Sequence, residues 1–128
     1  MKFIDNTRPK QCPWGQMLSC ENVATGIWRV DTGSHGGYYI SVERKDAMPK
    51  PLREYRNFVQ RKDGGTGQWY EEDIDWCIVC LAYPDDFTRK LGLAERPEVL
   101  RMARLICERA IKDPAVLDWL RTAFEVTT

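Results

Sequence analysis

The sequence carries a single histidine and no net charge, with Lys+Arg and Asp+Glu equal at 19 each among 128 residues. The lone imidazole confines histidine base chemistry to one position, His35, and the balanced charge excludes the overall basicity of a typical nucleic-acid binder. No apolar run approaches the ~18 residues of a spanning helix, so the chain is not expected to cross a membrane. The start, Met1-Lys2-Phe3-Ile4-Asp5-Asn6, has no hydrophobic signal-peptide region, and an odd count of five cysteines cannot all pair within one chain. Both point to a reducing cytoplasm. Internal repeats and low-complexity tracts are missing as well. What remains is a globular composition, 43% hydrophobic and 30% charged, whose length suits one domain over residues 1–128. A chain of this size can remove about two-thirds of its unfolded surface from water, so its core needs neither metal nor disulfide.

The first third reads as β-structure. Trp28, Val30 and Thr32 alternate with Ile27, Arg29 and Asp31, and Tyr38, Ile40 and Val42 alternate with Tyr39, Ser41 and Glu43. Gly33-Ser34-His35-Gly36-Gly37 between them reverses the chain as a hairpin, and Gln16 to Cys20 offers a third strand. Helical spacing takes over after Met48-Pro49. Pro51 opens a helix carrying Leu52, Tyr55 and Val59 that Asp63-Gly64-Gly65-Thr66-Gly67 breaks. From Trp69 to Tyr83 a wide apolar face predicts a central helix with Tyr70, Ile74, Cys77, Ile78 and Leu81 inward, Glu71, Glu72 and Asp73 in its first turn, and Pro84 as its stop. A short piece runs from Asp85 to Leu91. Pro97 then opens a helix with Val99, Met102, Ala103, Ile106 and Ala110 inward, and Asp113-Pro114 caps a last one with Val116, Leu117, Leu120 and Phe124 inward. The fold class is α+β, a small antiparallel sheet of two or three strands packed on a helical C-terminal half.

Neutrality hides two poles. Residues 44–62 hold seven bases and two acids, and residues 71–86 hold six acids and no base. Arg53, Arg56, Arg61 and Lys62, interleaved with Tyr55 and Phe58, could combine phosphate contacts with base stacking; the simpler reading is a solvated helix face. Trp76-Cys77-Ile78-Val79-Cys80 looks like a thioredoxin-type motif, but it sits in mid-helix behind an acidic turn, where a thiolate is not favoured. Cys12, Cys20, His35, Cys77, Cys80 and Cys107 lack zinc-ligand spacing, so no metal and no cofactor is expected. The glycine-rich 64–67 loop lacks the Lys-Ser/Thr of a phosphate cradle. His35, between Ser34 and two glycines, has two readings. It locks a tight turn by satisfying backbone groups, or it is a base oriented by Glu72 or Asp73 with the Gly36 and Gly37 N–H groups holding an anion. The turn-locking reading is the expectation.

Pro13-Trp14-Gly15, Thr25-Gly26-Ile27-Trp28, Thr32-Gly33-Ser34-His35-Gly36-Gly37 with Ser41, Met48-Pro49, and Trp69-Tyr70-Glu71-Glu72-Asp73 with Trp76 occur in that order. Over residues 12–87 this combination resembles a family of small proteins of phages, prophages and mobile elements; the helices of 88–128 lie outside it. The resemblance implies a genomic setting rather than a mechanism. By analogy with small phage proteins that disable host defences, in the manner of anti-CRISPR or anti-restriction factors, it implies an accessory protein that binds a host or phage protein. Ser34, His35, Gly36, Gly37, Trp69, Tyr70, Glu71, Glu72, Asp73 and Trp76 are then the candidate binding residues, with aromatic anchors inside a charged rim. Self-association is a further option. The alternatives are nucleic-acid binding through the four bases above, and a small hydrolase or transferase built on His35.

Overall fold

A computed structural model describes residues 2–124. Four strands, β1 (Ser19–Ala24), β2 (Ile27–Asp31), β3 (Gly36–Ile40) and β4 (Trp69–Glu71), form one antiparallel sheet in the order of the chain. Between β3 and β4 run α1 (Val42–Ala47), α2 (Lys50–Glu54) and α3 (Phe58–Asp63). After β4 come α4 (Trp76–Ala82), α5 (Pro84–Phe87), α6 (Glu95–Ala110) and α7 (Pro114–Phe124). The α+β class holds, and most of the helix lies in the C-terminal half.

The register explains the two faces of the sheet. Ile27 pairs with Ile40, Arg29 with Tyr38, and Tyr38 in turn with Tyr70, which puts these side chains on the helix side. There they join Cys77, Ile78, Val79, Cys80 and Leu81 of α4, which are buried together with Ala103 and Cys107 of α6. The back face pairs Trp28 with Tyr39 and Tyr39 with Trp69, and it closes with Trp14 edge-on to Trp69 at 5.5 Å between ring centres.

Several expectations are corrected. Trp69–Tyr83 is not one helix. Trp69-Tyr70-Glu71 is a short edge strand, residues 72–75 turn, and α4 starts only at Trp76. Tyr70 belongs opposite Tyr38, and a strand of three residues is too short for its alternation to outweigh the helical period around it. Cys77 therefore lies in the first turn of α4 rather than in mid-helix. Its thiol is nonetheless fully buried, and its hydrogen bond with Cys107 together with desolvation raises its pKa, which keeps it from the thiolate form that reacts. Val42 starts α1, because Ser41 caps that helix by accepting the N–H of Arg44 at 3.1 Å. The 51–63 helix is broken at Tyr55-Arg56-Asn57, where the Asn57 side chain and Gln60 form a reciprocal capping box for α3. Ile74, in the turn, and Met102, on α6, are exposed rather than inward. The third strand lies at 19–24 rather than 16–20.

Two bases of the positive pole are interior. The Arg44 guanidinium lies between the rings of Phe3 and Tyr83 and pairs with Asp86 at 2.6 Å, so the two poles neutralise each other there. Lys45 donates to the Gly67 carbonyl at 3.0 Å and the Tyr70 hydroxyl at 2.7 Å, and desolvation lowers its pKa to about 8.

Candidate functional site

The hairpin tip is locked by a residue outside the Ser-His-Gly-Gly motif. Thr32 Oγ1 accepts the His35 N–H at 3.0 Å and donates to the His35 carbonyl at 2.7 Å, while the Thr32 N–H reaches the same carbonyl at 2.8 Å. Ser34 and His35 are exposed, and among the described residues the His35 ring makes no hydrogen bond or ion pair. Turn locking therefore belongs to Thr32, whose hydroxyl can close the loop locally in a way an outward imidazole cannot. Thr32→Val should cost about 1–2 kcal/mol in denaturant titrations, and His35→Ala less than ~0.5 kcal/mol. The reverse ranking would return the structural role to His35.

Gly36 and Gly37 are buried strand residues rather than a cradle at the loop tip. A side chain at Gly36 would meet Asp31, Glu72 and Arg29 within 3 Å, and one at Gly37 would run into the Tyr70 carbonyl and the Trp14 ring. The pair is glycine so that an ion-pair network and an indole can lie directly on the backbone. In that network Arg29 bridges Asp31 at 2.6 Å and Glu72 at 2.8 Å, and its hydrogen bond holds the Asp31 carboxyl below the usual range. Glu72 therefore lines a cleft with Tyr38, Trp76 and Phe87, one that His35 does not line.

His35 faces a different hollow, of about 380 Å³, whose walls include Trp14, Lys62, Glu71 and Asp73. A second hollow of about 560 Å³ lies beside it, walled by Tyr55, Arg56, Arg61, Lys112 and Asp113. The two share Phe58, Glu71 and Ile74, so they adjoin as the two halves of a groove that meet at two large apolar side chains. Phe58 is 47% exposed and Ile74 38% exposed. Both are fixed from beneath. Asp75, almost completely buried, accepts the Phe58 N–H at 2.6 Å and the Tyr55 hydroxyl at 2.8 Å, which ties the start of α3 to the turn before α4. Burial raises the Asp75 pKa, against the pull of those two hydrogen bonds. Glu71 caps the same turn, accepting the N–H groups of Asp73 at 2.8 Å, Ile74 at 2.7 Å and Asp75 at 3.2 Å. Asp113 accepts from Ala115 and Val116 at the start of α7.

The wall acids are thus mostly committed to backbone N–H groups, whereas the bases are not committed to acids. Among the described residues Arg56, Arg61, Lys62 and Lys112 have no carboxylate partner. Arg61 donates to the Arg56 carbonyl at 2.6 Å. Arg53 lies off the groove and donates to the Asp46 carbonyl.

The structure separates the residues singled out in the sequence. Ser34 and His35 sit at the tip, and Glu71 and Asp73 on the groove wall. Trp69 is in the back-face aromatic stack, Glu72 and Trp76 are in the other cleft, and Tyr70 is wholly interior. Ile74 and Asp75 were missed as site residues, and Phe58 was named only as a base-stacking residue of the nucleic-acid alternative. The Asn57-x-x-Gln60 capping pattern is the signal that marks Phe58 as the first residue of a new helix, hence free on one side. Among the described residues no three of His, Cys, Asp and Glu converge as metal ligands would, and no helix is long and apolar enough to cross a membrane.

A family model described as a domain of unknown function (DUF7007) matches residues 7–125, and so takes in α6 and α7 as well as residues 12–87. No curated protein and no solved structure matches the chain.

Proposed function

We infer that the chain, which belongs to this family of unknown function, DUF7007, acts by binding another protein in the groove centred on Phe58 and Ile74. The supporting observation is the placement of two exposed apolar side chains where two hollows meet, on a backbone held by Asp75 and Glu71, with bases at the rim that have no carboxylate partner among the described residues. Pre-ordered apolar anchors inside a charged rim lose little entropy on docking and gain specificity from the rim. The setting follows the family resemblance: a cytoplasmic accessory protein of a phage or mobile element whose partner is a component of host defence, of the kind anti-CRISPR or anti-restriction proteins disable. Affinity purification of the tagged chain from a bacterial host, followed by mass spectrometry, tests it. Phe58→Ser is the informative variant, because it removes the exposed ring without adding a charge beside Asp75 and Glu71, and a thermal melt checks that the variant is folded. A stoichiometric partner should be recovered with the parent chain and reduced about tenfold or more with the variant. Absence of any such partner, or recovery indifferent to Phe58, would refute the reading.

One observation favours a second reading, nucleic-acid binding, since Arg56, Arg61 and Lys62 line the groove without acid partners. Glu54, Glu71, Asp73 and Asp113 line the same walls, however, and would repel a phosphate backbone. A mobility shift at low salt that vanishes as salt rises would support it over the protein-binding reading. The hydrolase alternative has His35 and Asp73 on the walls of one hollow in its favour, but among the described residues the His35 ring makes no hydrogen bond or ion pair that would orient it.

A further inference from the structure

The 16 residues of α6 give a rod about 24 Å long. One side is core: Ala103 and Cys107 are buried against α4. The opposite side carries Met102 at 51% exposure and Leu105 at 36%, and between and around them lie Glu98, Arg101, Arg104 and Glu108. Glu98, Met102, Leu105 and Arg109 are spaced four, three and four residues apart, so they form a single stripe along the helix. Arg101 and Glu108 flank that stripe on one side, each one residue from it.

The stripe is its own complement when reversed. Laid antiparallel on a second α6 about a twofold axis between Met102 and Leu105, Met102 meets Leu105 of the second copy and Leu105 meets its Met102. At each end Glu98 faces Arg109 of the second copy. Along the flank Arg101 faces Glu108 of the second copy, again twice by symmetry. A parallel alignment would instead set Glu98 on Glu98 and Arg109 on Arg109. In the single chain Arg101 is paired only within its own helix, to Glu98, with both side chains well exposed, and Glu108 and Arg109 have no ion pair among the described residues. The charges therefore have more to gain across the twofold than they have at home.

We propose that this face of α6 is the contact of a twofold homodimer in which Met102 and Leu105 interdigitate and Arg101 pairs with Glu108 of the second copy. Two apolar layers put it among contacts smaller than ~1,200 Å², which exchange readily, so association depends on concentration and salt. The α6 face and the groove are separate surfaces, and the dimer does not depend on the groove having a protein partner.

The experiment is sedimentation or light scattering on the full chain from ~10 µM to ~1 mM at low salt. The mass should rise from 14.9 kDa toward twice that value. Arg101→Glu and Glu108→Arg, each alone, place like charges together twice and should weaken association about tenfold or more. Mixing the two variants one to one should restore it, because the heterodimer again pairs Glu with Arg at both sites. That restoration is a readout that simple damage to the helix would not give. A parent chain that stays monomeric to ~1 mM overturns the proposal. So does a dimer indifferent to both charge reversals, or a mixture that fails to recover.

Discussion

Gly37→Ala should cost about 3–4 kcal/mol and lower the melting temperature by roughly 10–15 °C in a chain of this length. The reason is spatial. The new methyl would press into the Tyr70 carbonyl, sit 2.5 Å from the Trp14 ring and lie 2.9 Å from the Glu71 Cα. Two of those three neighbours are backbone atoms of β4, so no rotamer change relieves them. Either β4 separates from β3 or Trp14 leaves the back face, and each route exposes aromatic surface around Trp69. Gly33→Ala, in the same hairpin with nothing within 4 Å of the added carbon, should change stability by less than ~0.5 kcal/mol. Thermal melts of the two variants side by side decide the matter; near-equal values would mean that Trp14 does not lie on Gly37 in solution.

Asp75→Ala should cost about 2–3 kcal/mol at neutral pH, since it takes away the acceptor of both the Phe58 N–H and the Tyr55 hydroxyl. The cost should be larger in acid, and the sign follows from linkage. Burial raises the carboxyl pKa in the folded state above its unfolded value of about 3.9. The folded chain then holds the proton more tightly, and the stability Asp75 contributes declines as pH rises from the unfolded pKa through the folded one. Removing the side chain forfeits the full contribution below that window and less above it. Denaturant titrations of parent and variant at pH ~4 and pH ~7 should therefore show the greater difference at the lower pH. A difference that grows with pH would mean that the carboxylate is stabilised in its charged form, as an ordinary cap is. Partner recovery should fall with this variant as well, because Phe58 loses its anchor.

Where one physical constraint dominated a segment, the sequence disclosed it. β2 and β3 alternate because both faces of the sheet are occupied at every step, Ile27 and Ile40 toward the helices and Trp28 and Tyr39 toward the aromatic back face. α7 was legible because Asp113 caps it and Pro114 opens it. β4 was not, since its place depends on Tyr38 and Gly37, more than thirty residues earlier, and no local pattern encodes that pairing. Acidic residues at 71–73 suggested a helix start, and Glu71 does cap a turn, but the turn precedes the helix. The groove was half visible. His35, Glu71, Asp73 and three of the four bases were named, yet of the apolar residues at its centre Ile74 was read as core and Phe58 only as a base-stacking residue of a basic stretch. Whether Ile74 points in or out is settled by a capping bond to Glu71, which tertiary structure fixes and hydropathy does not. Met102 is the same case on α6: hydrophobic, helical in spacing, and on the outer side.

A meander of four strands leaves two edges open, β1 and β4, and an open edge invites a foreign strand to add itself. Here neither edge is a usable template. β4 offers three residues, too few to seed a ladder. β1 is longer, but Lys90 reaches in from beyond α5 to donate to the Asn22 carbonyl at 2.5 Å, and its ammonium lies 3.7 Å from Glu21. The Asn22 side chain is itself tied to Asn6 of the N-terminal segment. An incoming strand would have to evict a lysine and bury its charge against a growing sheet. The molecule is thereby guarded against the open-ended stacking that leads to fibrils.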